Sequence, residues 1–115
     1  MASKQRVKGF NYERALVKLF NDCPDTYSER MWGSNGKSKG LSEKVDIEID
    51  HFSDTYHVQC KNYAWKNLPV GFKSYCMDIL EDVQMGITKV EGKHLGASLV
   101  IMELDTLLKL FRHPL

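Results

Sequence analysis

Long apolar runs, paired cysteines and an excess of charge of one sign are all missing from this chain. The longest apolar stretch, Ala97 to Met102, falls far short of the ~20 residues a membrane helix needs, which excludes a helical membrane protein. The three cysteines, Cys23, Cys60 and Cys76, are odd in number and widely spaced. Without a CxxC pair or a CxxC-to-His spacing, they argue against a disulfide framework and against structural zinc. The early residues Lys4, Arg6 and Lys8 precede no apolar segment, so no secretory signal is expected. An intracellular protein is expected, cytoplasmic or nucleoid-associated, or in the host cytoplasm if viral. The histidines His51, His57, His94 and His113 show no HExxH spacing, and no GxSxG elbow supports a Ser-His-Asp site.

A length of 115 residues with 43% hydrophobic and 27% charged residues predicts a single domain, 1–115, with one core. A net charge of +1 would not by itself suggest a nucleic-acid binder. The distribution is more informative. Lys4, Arg6, Lys8 and Arg14 face one acid, Glu13, and Arg30, Lys37, Lys39 and Lys44 face one acid, Glu43. Acids collect instead in 46–54 and 78–82, which suggests a basic side and an acidic pocket, although charges scattered over a solvated surface would look the same.

Tyr12, Ala15, Leu16, Leu19, Phe20 and Cys23 recur at helical spacing over 11–23, and Glu13 shares the face of Leu16, Val17 and Phe20. A carboxylate there needs a partner; an ion pair or a simple edge position would explain it, and so would a site facing inward. Pro24 ends the helix, and 26–32 can form a first strand. The segment GSNGKSKG at 33–40 lacks the phosphate-loop spacing and reads as a surface loop whose lysines and Ser34 could touch a phosphate backbone. In KVDIEIDHFSDTYHVQCK, 44–61, Val45, Ile47 and Ile49 alternate with acids, and Tyr56, Val58 and Cys60 alternate with His57, Gln59 and Lys61, predicting a β-hairpin.

A two-residue turn makes paired positions sum to 105, with Phe52-Ser53 in the turn, or to 107, with Ser53-Asp54 there. Asp46 then lies opposite Gln59 or Lys61, roughly 5 Å away between Cβ atoms. Cys60 should point to the other face. A second amphipathic helix is predicted from Phe72 to Val83, with Gly86 placed to end it; 87–96 gives no clear pattern. A strand at 97–103 and a helix carrying Leu104, Leu107, Leu108 and Phe111 follow. The expected fold is an α/β domain with a central mixed sheet flanked by helices, in the order α-β-β-β-α-β-α.

An acid opposed by an amide and a lysine is a chemical constellation as well as a polar strand face. Phosphodiester hydrolysis needs a strong charge clamp, which a hard divalent cation on oxygen ligands provides. Asp46 and Gln59 with the Cys60 carbonyl could hold Mg²⁺, and Lys61 could orient or deprotonate the attacking water or stabilise the pentavalent phosphate.

Glu13, Val45-Asp46 and Gln59-Cys60-Lys61 together resemble the motifs of the PD-(D/E)XK nuclease superfamily. Within it, KGFNYERALVKLF at 8–20 and the Gly-Ser loop before the Asp strand are similar to archaeal-type Holliday junction resolvases, while QCK at 59–61 resembles Mrr-like endonucleases. The resemblance implies a restriction-endonuclease-like core and a Mg²⁺-dependent endodeoxyribonuclease, with Mn²⁺ able to substitute. Its catalytic residues would be Lys61, Asp46, Gln59 and Glu13, its metal ligands Asp46, Gln59, Cys60 and Glu13. Ser34, Lys37, Lys39, Arg30 and Lys8 would contact DNA. A homodimer cutting four-way or other branched DNA is implied, and the 97–103 strand and last helix could pair two copies or simply pack in the core. Val45 stands where the family carries Pro, and Gln59 where it carries an acid. The alternatives are an Mrr-like restriction or repair nuclease on duplex DNA, and a DNA-binding module without catalysis.

Overall fold

The structure, a computed structural model, describes residues 4–31, 40–42, 44–61, 71–90 and 92–112, with backbone alone for 4–9 and 72–74. The helix α1 (Lys4–Asn21) is followed by β1 (Thr26–Arg30), β2 (Ile47–His51) and β3 (Asp54–Lys61). Then come α2 (Phe72–Ile79), β4 (Met85–Thr88), a 3₁₀ turn (Leu95–Ala97), β5 (Leu99–Met102) and α3 (Leu104–Phe111). The five strands form one mixed sheet in the order β1-β2-β3-β4-β5. Among the described strands only β3 and β4 pair in parallel, an arrangement that needs a crossover connection, here the segment carrying α2.

The expected α/β class with a mixed sheet is observed, with one strand more than the expected order. Met85 to Thr88 form β4, and all four residues are buried. A short strand covered on both faces shows no polar alternation, so periodicity could not reveal it. Gly86 therefore does not end α2; it lies at the centre of β4, where a Cβ would collide with the Ile79 side chain of α2. The missing side chain is what lets α2 settle on the sheet.

Alternation explains the other face. Ile47 and Ile49 of β2, Tyr56 and Val58 of β3, and Met85 and Ile87 of β4 form one buried cluster with Tyr12 and Leu16 of α1. Tyr12 and Leu16 are one helical turn apart, the spacing that stacks two side chains on a single stripe. Two clips fix the pose of α1. The Ser28 amide donates to Asn21 Oδ1 at 2.6 Å, with Ser28 Oγ donating to the Val17 carbonyl at 3.1 Å, and Tyr12 OH donates to Ser98 Oγ at 2.8 Å. Glu13, next to Tyr12, is thereby held over the sheet near the end of β1.

Candidate functional site

The hairpin turns at Phe52-Ser53, so paired residues sum to 105, from His51↔Asp54 to Ile47↔Val58. Regular pairing stops at Asp46. Its amide donates to the Val58 carbonyl at 2.9 Å, although Val58 already opposes Ile47, so two residues oppose one in a β-bulge. The strands part here, and the Cys60 amide is taken by the Asp46 side chain, Oδ2 accepting at 2.8 Å. The Asp46 carbonyl accepts from Met31 N at 2.8 Å, anchoring the bulge to the chain leaving β1. Val45 on one side belongs to a small cluster with Met31 and Val83, Ile47 on the other to the main core. Asp46 is thus held at the junction of two packed clusters.

Burial pushes the Asp46 carboxyl up to about 6. The Cys60 N–H opposes that rise, the Glu13 charge adds to it, and Lys61 and Arg30 counter it. Asp46 consequently lies in the joint field of Glu13, Lys61 and Arg30. Glu13 is also raised, chiefly by burial, against the pull of Arg30, whose Nε stands 3.3 Å from Glu13 Oε1. The Arg30 guanidinium lies 4.8 Å from the centre of the Phe10 ring. Cys60 packs against the main core, and burial, followed by the charges of Asp46 and Glu13, pushes its thiol far up, so it stays protonated.

Gln59 and Lys61 pair in register with Gly86 and Thr88. That face of the sheet carries the contact of Gly86 with Ile79 and the 3.2 Å hydrogen bond between Tyr75 OH and Thr88 Oγ1, so Gln59 and Lys61 lie on the α2 side. Gln59 is 9% exposed, and its Oε1 is buried without a partner among the described residues. Asp46 meets the Cys60 amide directly and feels the charges of Glu13, Lys61 and Arg30, while the Gln59 side chain is buried on the α2 face. Among the described residues no three His, Cys, Asp or Glu side chains converge as a metal-binding set.

Of the residues expected to contact DNA, Ser34, Lys37 and Lys39 lie outside the described residues, as does the side chain of Lys8. Arg30 is engaged with Glu13 and largely buried. The sequence offered an ion pair as one explanation for Glu13, but not Arg30 as its partner. The only trace of that pairing there is an arginine ending a short alternating strand, together with a glutamate on the buried edge of α1. No described helix is long and apolar enough to cross a membrane. Comparison of the chain with protein-family models, with curated proteins and with solved structures finds no match.

Proposed function

We propose that this protein is a metal-dependent endodeoxyribonuclease acting on branched DNA such as a four-way junction. The observation that carries the reading is the bulge at Asp46. It holds a carboxylate on the Cys60 amide where two strands part, in the field of a second carboxylate and a lysine. The helix order and the parallel β3-α2-β4 crossover are compatible with a restriction-endonuclease-like core.

The donor set suits a hard cation. Two carboxylates with raised pKa lie where added positive charge is favourable. Asp46 and Glu13 would hold Mg²⁺ or Mn²⁺, with the Cys60 carbonyl oxygen as a neutral donor; the Gln59 amide, on the α2 side, stands outside this set. A bound cation would supply charge stabilisation at the scissile phosphate and acidify a water. Lys61 would orient the attacking water or neutralise the charge developing on phosphate. Arg30 keeps Glu13 ionised and aimed at the site. Ser34, Lys37, Lys39 and Lys8 contact the DNA backbone.

Apolar surface on the edge strand β5 and on α3 supports self-association into a homodimer. Leu99 and Val100 are about half exposed and Leu104 and Phe111 more so.

The test is strand cleavage of a four-way junction and of linear duplex of the same sequence, with Mg²⁺, by the wild type, Asp46→Asn and Lys61→Ala. Junction cleavage by the wild type alone is expected. Equal cutting of duplex would refute the branched substrate, and binding without cutting any DNA would refute the enzyme.

A further inference from the structure

The end of the sheet that holds Asp46 carries a second lysine. β1 and β3 finish at this end, β2 begins there, and β4 finishes there beside β3, with which it runs parallel. In open α/β sheets, ligands gather outside the carboxyl ends of parallel strands. Pairing continues one residue past β4, where the Lys89 amide donates to the Lys61 carbonyl at 3.0 Å. Thr88 faces α2, where it meets Tyr75, and Lys89, the next residue, faces α1. Lys61 and Lys89 therefore flank the sheet edge from opposite faces.

Tyr12 holds Lys89 in place. The Lys89 Nζ lies 6.0 Å from the centre of the Tyr12 ring, and the Tyr12 hydroxyl donates to Ser98 at the other end of the β4–β5 connection. One buried aromatic, the chain neighbour of Glu13, thus anchors both ends of that connection. Arg30, Lys44 and Lys109 hold the carboxylates of Glu13, Glu81 and Asp54. Among the described residues no carboxylate is paired with Lys89. Residues 89–98 add the exposed Lys93 against one acid, Glu91. With the strands in the order β1-β2-β3-β4, this positive charge stands on the side of Asp46 away from Arg30.

We propose that Lys89 binds a backbone phosphate of the DNA, flanking the scissile one on the side of the site away from Arg30. The identity of the anion rests on the nuclease reading. A lysine meets phosphate as a point charge and reads no base, so the contact positions the strand across the sheet edge without adding sequence preference.

The test is fluorescence anisotropy of a labelled four-way junction over a series of NaCl concentrations, in EDTA and on the Asp46→Asn background, so that no strand is cut. Asp46→Asn alone is compared with the same chain carrying Lys89→Gln, Lys89→Arg or Lys109→Gln. Loss of one phosphate contact makes the slope of log affinity against log salt shallower by about 0.9. Lys89→Gln is expected to show that change and Lys89→Arg to keep the original slope. Lys109→Gln removes the same charge at the hairpin-turn end of the sheet and is expected to keep it too. A slope unchanged by Lys89→Gln overturns the proposal, as does an equal change with Lys109→Gln. Junction cleavage by the wild type with Mg²⁺, run in parallel, separates the two readings. Cutting with a slope indifferent to Lys89 refutes this contact alone, binding without cutting but with the shallower Lys89→Gln slope refutes the enzyme and supports the contact, and no binding at all refutes both.

Discussion

Asp46→Asn separates the cost of the candidate site from its chemistry. Burial raises the Asp46 carboxyl from the ordinary 3.8 to about 6, so between these two pH values the folded protein keeps a proton that the unfolded chain releases. The stabilisation linked to that proton is fully present below the unfolded value and is lost as pH rises to the folded one. With 1.36 kcal/mol per pH unit, the gap corresponds to roughly 3 kcal/mol lost by pH 7.5. Asparagine keeps an oxygen to accept from the Cys60 amide and carries no charge to desolvate. Asp46→Asn should therefore be more stable than the wild type by about 2 to 3 kcal/mol at pH 7.5, and nearly equal to it at pH 4. Urea unfolding followed by circular dichroism at pH 4, 5, 6 and 7.5 reads the difference directly. Glu13 is raised in the same direction, so the variant retains a shallower dependence of the same sign. Millimolar Mg²⁺ should narrow the gap at pH 7.5 by binding the wild type. A variant that is no more stable at pH 7.5, or that differs equally at every pH, refutes the account of Asp46.

Four further outcomes follow from single contacts. Gly86→Ala drives a methyl into Ile79 and should cost at least ~2 kcal/mol in urea unfolding, part of it recovered in the double variant with Ile79→Ala. Arg30→Met leaves Glu13 buried without its cation and should cost about 3 kcal/mol at pH 7.5 and much less at pH 4, where Glu13 takes up a proton. Tyr56→Phe removes a buried hydroxyl that has no partner among the described residues and should raise stability by about 1 kcal/mol, measured by thermal unfolding. Phe52 sits at φ 56°, a left-handed conformation costly for an aromatic, so Phe52→Gly should raise the melting temperature through a gain of about 1 kcal/mol.

The elements with a strong local signal were legible in the sequence. The helical stripe of α1 and the alternation of β2 and β3 depend on neighbours within a few positions, as does a two-residue turn, but the sequence left Phe52-Ser53 and Ser53-Asp54 both open and the structure selects the first. The amphipathic spacing of Leu104, Leu107, Leu108 and Phe111 likewise marks α3. β4 was not legible, because its buried status comes from α2 and the main core on its two faces, and Gly86 reads as a stop signal until the helix above it is known.

The candidate site divides along the same line. By itself the sequence determined which residue types meet at the end of the hairpin: an acid on one strand, an amide and a lysine on the next, and a glutamate on the inner edge of the first helix. Only the tertiary structure decided how they meet. The bulge takes Asp46 out of the regular ladder, the packing of α1 on the apolar face brings Glu13 and Arg30 to it, and strand alternation carries Gln59 toward α2. Side-chain period is a local property of a strand, whereas a bulge, an ion pair across elements and the burial that raises Asp46 exist only once separate elements have packed.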